Sequence, residues 1–329
     1  MQQKNRSFYD GLILLTFLLF SIVRFEPAPF DILIVIAILL GIALRCLNFK
    51  LWFSLSLINL LIALFIIGNL ISLFFITDVG RSTFYISATV YLILLFYFVA
   101  SYITSWHRLG IVWFGYLGAG LIAVIFGWFA YFNLVPFSDF MMYGPRPMAL
   151  FKDPNVFGPF FVPLIAGFLA AIFYPDIWKI KKKWKILLLL IFMLSVIFSG
   201  SRGAWLNLAV AILAFLSLYF IHLRVALKKK IGITFFIFLI SFIAIGSSLF
   251  LGTEYLEGRM GLQPYDETRF DKQAEAFAVS RERVLGVGPG HSEIVLEFAT
   301  HSTYLRVLLE NGWFSFLALI FLIFIMEMF

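Results

Sequence analysis

Four short polar motifs in this chain hold residues able to do chemistry. They are Phe151-Lys-Asp-Pro-Asn-Val-Phe-Gly158, Ser199-Gly-Ser-Arg-Gly-Ala-Trp205, Asp266-Glu-Thr-Arg-Phe-Asp271 and Thr300-His-Ser-Thr-Tyr-Leu-Arg306. Each reads as the start of a helix, with Asp153 before Pro154, Ser201, Thr268, and Ser302 or Thr303 as capping residues. Helix N-termini present free N–H groups and favour anions. Two of the starts add an arginine, Arg202 and Arg269, whose planar fork grips phosphate or carboxylate through two parallel hydrogen bonds. Asn155 and Ser201 add supporting polar groups at such ends. His301 supplies an imidazole, a base suited to neutral pH. If these starts converge, the set can hold a diphosphate-sized anion and remove a proton beside it.

Plainer roles fit the same residues. Arg202 can snorkel to lipid headgroups, and Arg269 can be one solvated charge on an amphipathic helix lying on the membrane. Asn155 can serve the cap alone, and His301 can be a hydrogen-bonded interfacial side chain. Gly286-Val-Gly-Pro-Gly290 lacks the Lys-Ser/Thr of a phosphate loop and reads as a turn. His291 follows that turn, and its replacement is expected to be mild. No histidine pair has metal-ligand spacing and Cys46 is the single cysteine, so neither a metal site nor a disulfide is expected.

The elements that carry these motifs are set by composition. The chain has 329 residues, 62% hydrophobic and 13% charged, with 42 phenylalanines. A soluble domain could not hide that apolar surface, and apolar runs of the length that crosses ~30 Å of hydrocarbon recur along the chain. The expected fold is an all-α polytopic membrane protein, one integral membrane domain over 1–329. Its ten expected spans are about 9–23, 30–44, 51–76, 84–102, 110–132, 155–174, 186–199, 204–222, 231–251 and 304–326. The last contains Asn311-Gly312, which predicts a short exposed helix, a kink and then the true span. No signal-peptide cleavage site follows the first apolar run.

Orientation follows from the basic residues of the short loops. With the N-terminus inside, fourteen Lys and Arg face the cytoplasm against five in the short outer loops. The net charge of +7 then reports topology and not a nucleic-acid partner. Ten of the twelve lysines fall inside, whereas nine of the thirteen arginines fall outside or at the outer membrane surface. Residues 252–302 become one large extracytoplasmic loop. An amphipathic helix is expected within it, with Phe270, Ala274 and Phe277 as its apolar stripe and Gly286 as its stop.

Taken in order, FKDPNVFG at 151–158, SGSRGAWL at 199–206, ETRF with the VLGVGPG turn at 267–290, and HSTYLRVLLENGWF at 301–314 resemble the O-antigen ligase and O-antigen polymerase superfamily of bacterial membrane proteins. The likeness covers about the second half of the chain. It departs at Ser302, where the family usually has Asn, and at Phe329, where relatives continue with further spans, so a truncated chain is expected. The resemblance implies a fold related to the GT-C membrane glycosyltransferases. It implies transfer of a glycan from a polyprenyl-diphosphate carrier to a glycan or lipid-linked acceptor at the outer face of the cytoplasmic membrane, among membrane lipids and without cofactor or metal. It places Arg202 and Arg269 at the donor diphosphate and His301 at the acceptor hydroxyl.

Two other functions share these features. A transporter or flippase of an anionic lipid-linked substrate would place polar residues at mid-membrane, whereas here they cluster at the outer helix ends. A peptidoglycan-polymerase-type glycosyltransferase would lean on a carboxylate, for which Glu254, Asp266 and Glu267 are available.

Overall fold

The computed structural model describes residues 2–174, 177–222, 232 and 264–328. Thirteen α-helices are described: α1 (Gln2–Leu18), α2 (Pro29–Ala43), α3 (Lys50–Ser54), α4 (Ser56–Ser72), α5 (Val79–Tyr102), α6 (Trp106–Tyr131), α7 (Pro154–Phe160), α8 (Val162–Phe173), α9 (Lys182–Phe198), α10 (Arg202–His222), α11 (Pro264–Glu282), α12 (Ser292–Leu296) and α13 (Thr303–Met328). The β structure described is one short antiparallel ribbon of β1 (Met142–Tyr143) and β2 (Arg146–Pro147), with Tyr143 opposite Arg146. The protein is therefore all-α and multi-pass.

Among the described residues, six helices are long and apolar enough to cross a membrane: Ser56–Phe75, Val79–Tyr102, Trp106–Tyr131, Pro154–Phe173, Arg202–Ile221 and Thr303–Met326. Of the other expected spans, α1 and α9 have 17 residues each and α2 has 15. The expected span 231–251 and the loop up to residue 263 lie outside the described residues, apart from Gly232. Large side chains such as Phe84, Leu92, Leu213 and Phe324 stand exposed along these helices, a surface suited to hydrocarbon and not to water.

Two expected spans are broken. The third is interrupted at Leu55, between α3 and α4, where Asn59 Nδ2 donates to the Trp52 carbonyl that the break leaves over. The sixth is interrupted at Phe161, between α7 and α8. Pro159 and Pro163 bracket that break, and a proline ring clashes with the carbonyl four residues before it and offers no N–H.

The chain divides into two compact units, one of Met1–Leu40 with His107–Gly261 and one of Gly41–Trp106 with Leu262–Phe329. In the first, α8 packs on α9 around a phenylalanine core. Phe161 stacks on Phe192 at 5.6 Å and Phe168 lies 6.0 Å from the same ring. Lys185 is buried there, with Nζ donating to Ala171 O at 2.7 Å at the C-terminal end of α8, where a cation suits the helix dipole. In the second unit α13 packs on α4 and α11 packs on α13.

The loop helix differs from expectation in start and face. It already runs at Pro264, so Thr268 lies inside it and caps nothing, and Arg269 sits in its second described turn. Phe270, Ala274 and Phe277 are exposed, and Ala276 with Ser280 forms the buried face. Small residues four apart let α11 approach α13 closely, and Trp313 Nε1 donates to Ser280 O at 3.0 Å across that contact.

Candidate functional site

In the first unit, the chain between α9 and α10 is pinned by an arginine from a different loop. Asp153 caps α7, its Oδ1 accepting from Asn155 N at 2.6 Å, with Pro154 in the first turn. This leaves the Asn155 side chain exposed, and its Oδ1 accepts from Arg146 Nη2 at 2.8 Å. Arg146 Nε donates to Ser199 O at 2.9 Å. The turn then proceeds through Ser201, buried, whose Oγ accepts from Ala204 N at 3.3 Å as an N-cap. Arg202 opens α10, half-buried. Asn155 and Ser201 thus lie around the turn that ends at Arg202. Arg146, the residue that joins them, is itself only 8% exposed, and the sequence motifs do not single it out. Its signal was the Tyr143-Gly-Pro-Arg146 turn, which forms the ribbon that turns it inward.

In the second unit, α11 clamps the approach to α13. Arg269 Nη2 donates to His301 O at 3.1 Å and, one turn on, Gln273 Nε2 donates to Thr300 O at 3.1 Å. His301 holds a left-handed backbone with φ 50°, a region that histidine tolerates better than most residues. Its imidazole is exposed, with the Phe298 ring edge-on at 5.5 Å. Ser302 caps α13, its Oγ accepting from Leu305 N at 3.4 Å. Arg269 and His301 are therefore brought together within one unit. Arg202 belongs to the other.

The glycine turn is a docking piece and not an open cradle. Gly312 breaks α13 with φ 77° and ψ 175°, leaving the Leu309 and Glu310 carbonyls without their helical partners. Val287 N and Gly288 N take those two carbonyls, each at 2.9 Å, and Trp313 N donates back to Val284 O at 3.0 Å. The kink at Asn311-Gly312 is present; the helix before it is exposed at Thr303 and Tyr304, whereas its last turn, Leu308, Leu309, Glu310 and Asn311, is buried. Residues 286–290 are buried throughout.

Two further side chains fasten the turn. Glu310, 4% exposed, accepts from Gly290 N at 2.8 Å, Ser292 N at 3.3 Å, Ser292 Oγ at 2.5 Å and Arg306 Nε at 3.0 Å. His291, 2% exposed, accepts at Nε2 from Thr77 N at 2.9 Å and Asp78 N at 3.1 Å, while Nδ1 lies 3.1 Å from Pro289 O. Nε2 carries no proton in that arrangement, and Nδ1–H donates to the carbonyl. Ser82 Oγ donates to the same carbonyl at 2.9 Å, and Arg81 pairs with Glu293. His291 is thus a structural tie between the turn and the head of α5. This geometry argues against a mild effect of its loss: His291→Ala is expected to destabilise the joint, because two backbone donors would lose their acceptor.

Among the described residues, no group of three or more His, Cys, Asp or Glu side chains is placed to hold a metal ion. Residues 186–320 match the family model described as O-antigen ligase. That stretch contains Arg202, Arg269, the glycine turn, His301 and Glu310, and it leaves out Arg146 and Asn155. No curated protein and no solved structure matches the chain. Over residues 186–320 the chain is therefore similar to the O-antigen ligase family, and its long apolar helices suit a multi-pass membrane protein.

Proposed function

We propose that the protein transfers a glycan from a polyprenyl-diphosphate carrier to an acceptor hydroxyl at the outer face of the cytoplasmic membrane, as an O-antigen ligase or a surface-polysaccharide polymerase of GT-C type. The observation that carries this reading is the hydrogen bond from Arg269 to the His301 carbonyl, inside the stretch that matches the family. It ties a guanidinium, a cation for the leaving group, to the backbone of the residue whose exposed imidazole is the base for the acceptor.

The reaction balances without nucleotide or metal. The acceptor oxygen bonds to the sugar carbon that carries the diphosphate, and the bond from that carbon to the diphosphate oxygen breaks. The acceptor proton passes to the His301 imidazole. The bonding pair leaves with the polyprenyl diphosphate, whose growing charge Arg202 and Arg269 stabilise. The driving force is stored in the glycosyl diphosphate bond. Purified protein given polyprenyl-diphosphate-linked glycan should therefore form product at an undiminished rate in excess chelator. Activity lost in chelator and regained with magnesium or manganese would assign a different class of glycosyltransferase.

Orientation rests on the basic residues, with the lysine runs at 179–185 and 228–230 inside. A reporter fused after Lys183 is expected to read cytoplasmic, and one inserted near Gln263 external. The reverse pattern would put His301 on the wrong face for an extracytoplasmic donor.

A further inference from the structure

We propose that Glu310 is the residue that positions His301 for proton abstraction, an inference that rests on His301 being the base. Glu310 does not approach the reacting atoms itself. It lies nine positions after His301 on the helix that His301 introduces, and it acts through Arg306. Its carboxylate accepts from Arg306 Nε at 3.0 Å, and Arg306 N donates to Ser302 O at 2.9 Å, the residue that follows His301. The Arg306 guanidinium also lies over the Tyr85 ring, 4.2 Å from its centroid. On its other side the same carboxylate holds Gly290 N, Ser292 N and Ser292 Oγ.

The first turns of α13 are therefore tied through one buried group to the glycine turn and to α5. The backbone at Thr300 and His301 is tied separately to α11 through Gln273 and Arg269. Between these two anchors the chain carries His301 in a left-handed conformation that ordinary helix entry does not impose. A packing role alone would not call for a carboxylate here. Leu308 and Leu309 beside it are buried apolar residues, and a buried carboxylate is costly unless it is paired and hydrogen-bonded. The site accepts that cost and satisfies both oxygens, which suits a group that must hold several segments in one fixed geometry.

The test is a double-mutant cycle between Glu310 and His301, read as the rate of transfer from saturating polyprenyl-diphosphate glycan. Glu310→Gln keeps shape and loses the ion pair. Misplacing a base by a fraction of a helical turn is expected to lower kcat roughly 10- to 100-fold, with the donor KM nearly unchanged. In a His301→Ala background the same change should cost nothing further, because there is no base left to misplace. If Glu310→Gln costs the same factor in both backgrounds, or raises donor KM instead of lowering kcat, Glu310 is a stability residue and the proposal is overturned. Arg306→Lys provides a second arm should the Gln variant not accumulate. It keeps a cation but loses the guanidinium that meets the carboxylate and covers Tyr85, and the same coupling with His301→Ala is expected. His301→Ala transferring as fast as the parent would overturn the base assignment itself, a result distinct from additivity in the cycle.

Discussion

Replacing His301 by alanine should slow glycan transfer by about 10²–10⁴-fold, the usual contribution of a positioned general base. The donor KM should stay nearly constant. The imidazole is exposed and free to meet an acceptor, while the contacts that fix the local chain run through the backbone carbonyls of Thr300 and His301. Alanine removes the base and leaves those carbonyls in place. One complication is the φ of 50° at this position, which alanine tolerates less well than histidine or asparagine. His301→Asn separates the two effects, since asparagine accepts the left-handed region and cannot act as the base. Both variants should lose turnover by a similar factor. If the Asn variant transfers normally and only the Ala variant fails, the loss is one of backbone geometry and the base lies elsewhere. Arg202→Lys and Arg269→Lys exchange a bidentate fork for a point charge and are expected to lose most transfer activity, since both stabilise the leaving diphosphate, while the protein still inserts.

What could be read from sequence was whatever depends on neighbours a few residues away. The Asp153 and Ser201 caps, Pro154 in the first turn of α7 and the break at Gly312 follow from local chemistry, and the structure has each. Even local signals failed where two patterns overlapped. Thr268 has the type and spacing of a cap, but the helix had already begun at Pro264, and a threonine inside a helix looks the same on paper. Apolar residues at helical spacing mark the stripe Phe270, Ala274 and Phe277, whereas close helix contact selects Ala276 and Ser280. Beside a membrane, large apolar side chains gain little by turning inward, so hydrophobicity no longer marks the buried face.

The ties that build the sites were hidden for a different reason. Arg146 reaches Ser199 across 53 positions, and His291 reaches Thr77 across 214. No periodicity or motif spacing encodes such pairs, because they exist only once the helices have packed. Glu310 had a weak local signal. A lone carboxylate four residues after Arg306, amid a leucine face, is out of place unless something meets it there.

The reciprocal fit of Gly286 and Gly312 leads to the second large effect. A Cβ on Gly286 would fall 2.3 Å from Glu310 O and 2.8 Å from Gly312 N, at a φ of 89°. One on Gly312 would fall 2.5 Å from Val284 O and 3.0 Å from Gly286 N. The obstructing atoms are backbone on both sides, so no side-chain rotation can relieve them. Gly312 also occupies a region of φ and ψ open essentially to glycine, where another residue costs about 1–3 kcal/mol before any clash is counted. Either alanine variant should therefore lift the turn out of the break in α13. That releases the Val287 and Gly288 bonds together with the donors on Glu310, for a total loss of roughly 3 kcal/mol or more. In detergent this should read as a clear fall in the half-denaturation temperature. Gly80→Ala, in the same unit but with its nearest atom 3.5 Å away, should melt like the parent. Because both glycines serve one joint, the double variant should be little worse than either single one, a coupling that independent sites would not show. Parent-like melting of both single variants would mean that the turn and the helix break are not interlocked, and the route from Glu310 to His301 would lose its anchor.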